Sequence, residues 1–476
     1  MNKYFAPIAE SMKKYSEDGA LAFHTPGHKQ GLGAHFLLKK LITDEGLRQE
    51  VSLMEELDDL HDPQTCIKSA QDLAAKLWNA DKVFFMVNGT TSAVQAMIMS
   101  TIKPNDLVLV PRNAHRCVMS GLILSGARPV YLMPEYDSKF NISLNLTVEN
   151  VRNAIKKYPQ AKALIIVSPN YYGVAANLSE IAKLLHEHNM LLLVDEAHGA
   201  HLHFSDKLPV SSIDAGADIS AQSTHKILGS MTQTSMLMVK SNLVDIERIK
   251  QTVSLLQSTS PNYLLLVSLD IARLQMAESG KKLIEQAINL SQNLRSEIKQ
   301  IDGLNTFDRV DNFDLDLTKV TVNVSDLGLT GIDAEKILRY DYKIQCELSD
   351  LNNLLFLITY ADTEVEISKL IDGLKLLSNH KNNNSVNNNF KFHIPQSELK
   401  LTPREAFYSQ SKLVKLNDAV NKICAEEVTF YPPGIPILYP GELITQEIID
   451  YIEVNKKIGR RLIGAVDNNL DSIMII

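Results

Sequence analysis

The sequence predicts an α/β protein with a mainly parallel sheet, and three observations support this class. The length of 476 residues is roughly two to three times that of a typical single domain, so more than one core is expected. From about residue 73 to residue 240, short apolar runs alternate with segments of helical periodicity. The apolar runs are continuous, which is typical of strands buried on both faces of a parallel sheet. Strands that alternate with helices in this way define the α/β class.

The predicted elements follow one another regularly through this region. The predicted strands are Val83–Val87, Leu107–Val110, Pro129–Leu132, Leu164–Val167, Leu191–Val194 and Met236–Val239. Between them lie amphipathic segments such as Asn177–Leu185, which we interpret as helices. After Pro261 the pattern becomes more helical, from Leu264 to Leu290 and again around Ile298.

Changes in composition divide the chain into domains. Residues 379–389 are dominated by asparagine, and so polar a run cannot bury enough apolar surface to order itself. We therefore predict a linker over residues 379–390. The other predicted parts are an N-terminal arm (1–60), a large domain (61–260), a helical and small α/β domain (261–378) and a smaller α+β C-terminal domain (391–476).

Composition and charge exclude several classes of function. The chain has 48 Lys and Arg residues against 56 Asp and Glu residues, and this acidic balance argues against a nucleic-acid partner. No apolar stretch approaches the roughly 18 residues of a membrane span, so we expect no membrane partner. No signal peptide is apparent at the N-terminus. The four cysteines form no C-x-x-C pair, so we expect reduced thiols in a cytoplasmic protein.

A glycine and three hydroxyl residues follow the first predicted strand. They form the segment Asn88-Gly-Thr-Thr-Ser92, directly before a predicted helix at 93–100. Backbone N–H groups, the helix dipole and the hydroxyls of Thr90, Thr91 and Ser92 would all point at one place, as in a phosphate site. Simple N-capping of the helix is the alternative interpretation.

An acidic segment, Asp195-Glu-Ala-His198, follows the strand at 191–194. Open α/β sheets bind their ligands at the carboxyl ends of strands, so Asp195 is a candidate site residue. The same four letters form the metal-binding box of some helicases, but that class requires a G-x-x-x-x-G-K-[ST] loop upstream, and the sequence has none. His198, His201 and His203 lack the spacing of a catalytic zinc site, so we predict no metal.

A lysine lies among small hydroxyl residues in Ser223-Thr-His-Lys226, after the apolar stretch 217–221. Such a lysine can form a Schiff base with an aldehyde cofactor, although an isolated lysine would be interpreted as a solvated surface residue. The phosphate-binding turn and the strand-end aspartate favour the first interpretation. Together these segments match the needs of pyridoxal 5′-phosphate (PLP), which requires a lysine for its aldehyde, a carboxylate for its ring nitrogen and a phosphate cradle.

The chain resembles the bacterial ornithine/lysine/arginine decarboxylase family of fold-type I, aspartate-aminotransferase-like PLP enzymes. The matching segments are His24–Lys29, Asp58–His61, Asn88–Ser92, Pro111–His115, Ser168–Gly173, Asp195–His198, Ser223–Lys226, Ser260–Tyr263, Tyr431–Pro436 and Pro440–Glu442. The resemblance is to the short form of the family, because the His24 segment leaves no room before it for a receiver-like domain. It implies a seven-stranded type of sheet in the large, PLP-binding domain.

The resemblance also implies a role for each candidate residue. Lys226 would form the Schiff base, and Asp195 would pair with the pyridine nitrogen. His115 and Ala197 would lie against opposite faces of the cofactor ring, and His198 would sit near the substrate carboxylate. The residues that would surround the phosphate are Thr90, Thr91, Ser92, Ser223, His225 and, from a partner subunit, Ser260.

The implied function is decarboxylation of a basic amino acid in polyamine metabolism, with arginine the first candidate and lysine or ornithine the others. An aminotransferase or a non-catalytic PLP-binding homologue is the alternative. Glu347, Asp350 and Glu442 could pair with the distal cation of the substrate, or could be merely exposed carboxylates. The expected assembly is a homodimer or a dimer of dimers.

Overall fold

A computed structural model of the chain describes residues 4–381, 395–431, 435–458 and 461–476. The helices are α1 Pro7–Glu17, α2 Phe36–Ile42, α3 Asp44–Gln49, α4 Cys66–Leu77, α5 Gly89–Thr101, α6 Arg116–Ser125, α7 Val148–Lys157, α8 Leu178–His186, α9 Thr224–Ile227, α10 Ile246–Leu256, α11 Tyr263–Ile298, α12 Gly331–Tyr340, α13 Glu364–Ser378, α14 Pro403–Tyr408 and α15 Gln446–Ile458. Of these helices, none combines the length and the apolar character needed to cross a lipid bilayer.

The strands are short. They are β1 Lys82–Met86, β2 Leu107–Pro111, β3 Arg128–Leu132, β4 Tyr136–Asp137, β5 Ile142–Ser143, β6 Ala163–Val167, β7 Val174–Ala175, β8 Leu191–Asp195, β9 Ile219–Gln222, β10 Ser235–Val239, β11 Asp314–Leu315, β12 Lys319–Asn323, β13 Leu348–Ser349, β14 Asn353–Leu357, β15 Lys412–Lys415, β16 Val428–Tyr431, β17 Pro436–Leu438, β18 Arg461–Ile463 and β19 Ser472–Ile475. All six strands predicted from the sequence are present, and no bound is shifted by more than one residue.

The chain forms two compact units that are discontinuous in sequence. Unit 1 comprises Met1–Thr101, Leu191–Asp206 and Val210–Leu283, and unit 2 comprises Ile102–Met190, Lys207–Pro209 and Ile284–Ile476. The predicted linker at 379–390 lies, from residue 382 onward, outside the described residues.

The sheet of unit 1 has the order β1-β10-β9-β8. Strands β8 and β9 are parallel, whereas β10 is antiparallel to both β9 and β1. Neighbouring residues at one edge of this sheet are Met86 with Ser235, Met236 with Gln222, and Ala221 with Asp195. The carboxyl ends of β1, β9 and β8 therefore meet at the same edge, together with the beginning of β10.

Unit 2 contains the parallel strands β6-β2-β3 and several smaller sheets. The sheet β12-β14-β13 packs with α12, α13 and the last turns of α11 around one apolar core that includes Leu294, Val322, Leu354 and Leu374. The last part of the chain has its own core, formed by β15–β19 and α15 residues such as Ile448. The α/β class, the mainly parallel pairing and the smaller C-terminal domains agree with the prediction.

Candidate active site

The first motif segment is the turn that begins α5. Gly89 has a φ of 78°, which L side chains rarely adopt, and its N–H donates to the carbonyl of Gln233 (2.8 Å). A Cβ at Gly89 would meet no heavy atom within 4 Å beyond its chain neighbours, so open space adjoins the turn. The first N–H groups of a helix lack intrahelical partners and carry the positive end of its dipole. The turn therefore has the form of an anion site.

The hydroxyl groups of this segment differ in what they contact. Thr90 is buried, and its Oγ1 donates to Ser235 Oγ (3.0 Å) and is also hydrogen-bonded to Ser223 Oγ. Ser92 is buried as well, and its hydroxyl donates to a carbonyl of its own turn (2.9 Å). Thr91 is exposed. The structure thus brings Thr90 and Ser223 into contact, while Thr91 is the exposed residue of the three.

Asp195 is the last residue of β8 and is buried. Its Oδ1 accepts a hydrogen bond from the backbone N–H of Ala197 (3.1 Å), which is itself buried in the turn that follows. The parallel register places Asp195 opposite Ala221, near the end of β9. The strand-end position predicted for Asp195 is therefore confirmed.

Lys226 lies in the short helix α9, directly after β9, and is half-buried. Its Nζ is 2.9 Å from Nε2 of the buried His198. A primary amine held against an imidazole at a strand end can exchange a proton with it directly, because the two nitrogens are at hydrogen-bond distance. The structure thus joins the lysine and the histidine that the sequence singled out separately.

His225 and Ser260 are the two other residues of unit 1 that were predicted to bind the phosphate, and they differ in exposure. His225 is half-buried, and its Nδ1 donates to the carbonyl of Thr234 (2.7 Å). Its Nε2 could donate to a phosphate only if the ring were protonated, since a neutral imidazole has one N–H. Ser260 is exposed in the loop between α10 and α11, and its backbone N–H donates to Ser258 Oγ (3.2 Å).

His115 belongs to unit 2, where it precedes α6 as its N-cap. Its Nδ1 accepts from the backbone N–H of Cys117 (3.3 Å), and the ring is half-buried. The residue lies just beyond the carboxyl end of β2, four residues after Pro111. This strand-end position is the one that open α/β sheets use for ligands.

Glu442 is not available to bind a substrate cation in this structure. Its carboxylate forms a bidentate ion pair with the guanidinium of Arg112, with both N–O distances 2.7 Å, and also accepts from the backbone N–H of Tyr439 (2.8 Å). Both side chains of the pair are almost fully buried. The guanidinium lies near the stacked rings of Tyr131 and Tyr439, at 5.4 and 5.2 Å from their centroids. The carboxylate therefore has an internal cation as its partner.

The other two acidic candidates differ from each other. Asp350 is buried and accepts from the hydroxyl of Tyr172 (2.7 Å) and from the backbone N–H groups of Asn352 and Asn353. Burial raises the pKa of Asp350, against the lowering effect of these hydrogen bonds. Its partners, like those of Glu442, are residues of its own unit. Glu347 is exposed. Of the three candidates, Glu347 alone has a carboxylate open to solvent.

Glu196, which is not among the residues predicted from the sequence, is fully buried next to Asp195. Its carboxylate accepts hydrogen bonds from Ser212, Ser220 and Gln222, and burial raises its pKa to about 7 against these bonds. The sequence of β9 indicated such a residue, because Ser220 and Gln222 alternate with the apolar Ile219 and Ala221. Polar residues two apart share one face of a strand, so a polar partner should have been expected there.

A lysine, a strand-end aspartate and an anion-binding helix N-terminus at one edge of an α/β sheet are the arrangement of a fold-type I PLP enzyme. The chain belongs to the Orn/Lys/Arg decarboxylase family. The major domain of that family matches residues 6–322, and its C-terminal domain matches residues 386–467. The protein is a PLP-dependent amino-acid decarboxylase, which confirms the predicted family, cofactor and class of enzyme.

Similar proteins extend over the whole chain. The chain is 42% identical to an arginine decarboxylase of Bacillus anthracis, covering 100% of this chain and 98% of that protein. It is 39% identical to an arginine decarboxylase of Bacillus subtilis, covering 100% and 99%. Among solved structures, lysine decarboxylase A from Pseudomonas aeruginosa matches with a TM-score of 0.87 at 20% identity, covering 99% of this chain and 80% of that one. These comparisons favour decarboxylation over the aminotransferase alternative.

The residues of unit 1 fit PLP chemically. The amine of Lys226 can react with an aldehyde, and the buried carboxylate of Asp195 can pair with a protonated ring nitrogen. The first turn of α5 faces open space at Gly89 and can receive a phosphate.

Proposed function

We propose that the chain decarboxylates a basic amino acid, with arginine the preferred substrate and lysine or ornithine the alternatives. The observation that carries the proposal is the 2.9 Å contact between Lys226 Nζ and His198 Nε2, next to the strand-end Asp195. The names of the relatives from two Bacillus species support arginine as the first candidate. The product would be agmatine, which would place the enzyme in polyamine metabolism.

Each residue would have a separate task around the cofactor. Lys226 would hold it covalently, Asp195 would hold the charge on its ring nitrogen, and His115 and Ala197 would lie against the ring. The phosphate would be bound by the first turn of α5, with Thr91, Ser92 and His225, and by Ser260 of a second chain. Thr90 and Ser223 would join the phosphate turn to the lysine segment, since their hydroxyls are hydrogen-bonded to each other.

When bound, PLP withdraws electrons from the substrate Cα and so weakens its bond to the carboxylate. The chain itself supplies orientation and proton transfer. His198 would position the substrate carboxylate, and the Lys226–His198 pair would deliver the proton to Cα after carbon dioxide leaves. A half-buried amine next to a buried imidazole is suited to this task because the proton need not be taken from bulk water.

The distal cation of the substrate requires an acidic partner. We keep Glu347 in this role, since its carboxylate is exposed, and we withdraw Glu442 and Asp350, whose carboxylates are bound internally. A charge-assisted hydrogen bond to the cation would give strong discrimination against neutral amino acids, because these would leave the carboxylate unpaired.

The functional assembly would be a homodimer or a dimer of dimers. Helix α2 supports this proposal, because none of its residues is buried although five of its seven side chains, at positions 36, 37, 38, 41 and 42, are leucine, isoleucine or phenylalanine. Contiguous exposed apolar surface of this kind is typical of an interface.

The four cysteines are buried free thiols, in keeping with a cytoplasmic protein.

Product identification tests the substrate. The purified protein is incubated with PLP and with arginine, lysine or ornithine in turn, and the amine products are separated and identified. We expect agmatine to form fastest, with cadaverine or putrescine at lower rates. Carbon dioxide release from glutamate or tyrosine, with none from the three basic amino acids, would contradict the proposed substrate class.

A further inference from the structure

Glu196 connects three segments of unit 1 at the sheet edge that carries the active site. Its Oε1 accepts from the backbone N–H of Ser212 (2.7 Å), and its Oε2 accepts from the hydroxyl of Ser212 (2.7 Å) and from Nε2 of Gln222 (2.6 Å). Its own backbone N–H donates to the carbonyl of Ala221 (3.0 Å). The carboxylate thus holds the end of β8, the end of β9 and the loop at 211–215 together.

The hydrogen bonds continue from Gln222 to the phosphate turn. The carbonyl of Gln222 accepts from Ser235 Oγ (2.7 Å), and Ser235 Oγ accepts from Thr90 Oγ1 (3.0 Å). Thr90 is in turn bonded to Ser223, which lies three residues before Lys226. One unbroken chain of buried hydrogen bonds therefore links the segments that carry Asp195, Lys226 and the first turn of α5.

We propose that Glu196, acting through Gln222, is a positioning residue that fixes Asp195 and Lys226 relative to each other and to the phosphate turn. The proposal rests on the proposed roles of Asp195 and Lys226. Glu196 touches neither cofactor nor substrate in this scheme, and its effect is transmitted by the network. Its donors are a backbone N–H, hydroxyls and an amide, so the carboxylate serves as a shared acceptor and not as half of an ion pair.

The geometry explains why a carboxylate is needed at this position. Four donors converge on its two oxygens, two from β9 and two from the loop at Ser212, which is more than one amide oxygen could accept. A buried donor left without an acceptor is costly, so removal of the carboxylate should let the strand ends shift. A shift of a fraction of an ångström between Asp195 and Lys226 would lower activity, because catalytic groups act only in a narrow geometry.

Asp218 offers a matched control within the same pair of strands. It is also a buried carboxylate, and it accepts from the backbone N–H of Leu192 (2.8 Å) and from the hydroxyl of Ser241. It lies at the beginning of β9 and ties it to the beginning of β8, at the end of the sheet opposite to Asp195 and Lys226. Loss of this carboxylate should therefore weaken the fold without disturbing the site.

The test compares Glu196→Leu, Glu196→Gln and Asp218→Asn with the unchanged holoenzyme. The measurements are the melting temperature, the dissociation constant of PLP, the visible spectrum of bound PLP, kcat and KM. We expect Glu196→Leu to weaken PLP binding and to lower kcat by about tenfold or more each, since the loss of one charge-assisted hydrogen bond corresponds to about tenfold. Glu196→Gln should recover only part of both losses, because its single amide oxygen accepts fewer of these hydrogen bonds than the carboxylate does. Asp218→Asn should lower the melting temperature and leave kcat and the spectrum within about twofold.

If Glu196→Leu does not fold, Gln222→Met is measured instead, because it breaks the link to the lysine segment and leaves the bonds from Ser212 intact. A variant that leaves PLP affinity, spectrum and kcat unchanged, or that changes them no more than Asp218→Asn does, would overturn the proposal. Failure of the roles proposed for Asp195 and Lys226 can be distinguished from failure of the role proposed for Glu196. A Lys226→Ala protein with normal turnover would contradict the former, whatever the Glu196 variants show.

Discussion

At the scale of single residues, the proposed chemistry depends on the buried carboxylate of Asp195. Asp195 is at the end of β8, and the hydrogen bond from the N–H of Ala197 to its Oδ1 fixes the orientation of the carboxylate. A carboxylate held in this way is expected to keep a protonated ring nitrogen in place. Its contribution should therefore lie in the rate and not in the amount of cofactor bound.

Asp195→Asn tests this assignment. The amide oxygen can still accept from Ala197, so the fold and PLP binding should persist, but a neutral side chain no longer stabilises a positive ring nitrogen. We expect kcat to fall by about one to two orders of magnitude, since a charge-assisted contact amounts to about 1.5–3 kcal/mol and each ~1.4 kcal/mol is tenfold in rate. Activity assays of Asp195→Asn and of the unchanged protein measure the loss of kcat. Visible spectra of the same two proteins measure whether PLP is still bound.

Lys226→Ala is the control for that experiment. It should lose both the visible band of covalently held PLP and the activity, because no other group provides the amine proposed here. Equal activity in Asp195→Asn and the unchanged protein would show that the carboxylate does not tune the ring. A Lys226→Ala protein with normal turnover would show that the lysine has been assigned wrongly.

At the scale of elements, the ion pair of Arg112 and Glu442 joins the end of β2 to the segment after β17. The guanidinium also donates to the carbonyls of Pro436 (2.9 Å) and Ile437 (2.7 Å), so each of its three nitrogens donates a hydrogen bond. Arg112 is three residues before His115. The C-terminal part of unit 2 therefore helps to fix the loop that carries a predicted ring-stacking residue.

Glu442→Ala should destabilise the protein strongly and leave substrate selectivity unchanged. Removing one partner of a buried ion pair leaves an uncompensated charge, at a cost of about 3–5 kcal/mol. The matched control is Glu398→Ala, which removes an exposed pair with Lys400 and should cost no more than about 1 kcal/mol. Chemical unfolding of the three proteins measures the difference. A large rise in KM with unchanged stability would instead indicate that Glu442 binds the substrate.

The elements were predictable to different degrees. Continuous apolar runs identified β1, β2, β3, β6, β8 and β10, because strands buried on both faces need apolar side chains throughout. The antiparallel direction of β10 was not predictable, since burial is the same in either direction. The helices indicated from Leu264 to Leu290 and around Ile298 are one continuous helix, α11.

The residues of the candidate site were also predictable to different degrees. Asp195 and His198 could be proposed because they follow a predicted strand, and Lys226 because it follows the apolar stretch 217–221. The carboxyl ends of parallel strands converge, so residues at these positions can share a site. The partner of Glu442 could not be identified, because Arg112 is 330 residues away in the sequence and only the tertiary structure pairs them. Charge alone cannot tell an acid that binds a substrate from one that binds an arginine of the same chain.

At the scale of the whole molecule, the N-terminal arm has more exposed apolar surface than a monomer is expected to tolerate. Leu41 is 81% exposed, and Leu21, Phe23, Leu32 and Phe36 are also largely exposed. Large contiguous apolar surfaces on soluble proteins are usually covered by a partner. A second copy of the chain is the partner we propose, since the resemblance assigns Ser260 to the phosphate of a neighbouring subunit.

Leu41→Glu should therefore shift the protein from dimer to monomer and lower its activity together with its PLP affinity. A charged side chain in the centre of an apolar interface would be buried without a counter-ion, which disfavours association. Leu376→Glu is the matched control, because Leu376 is an exposed leucine on α13, outside the arm. Sedimentation at the enzyme concentration of the assay gives the assembly, and PLP titration and kcat give the site. Leu376→Glu should leave all three unchanged. A Leu41→Glu protein that sediments as a monomer and retains full activity would show that one chain alone forms a complete site.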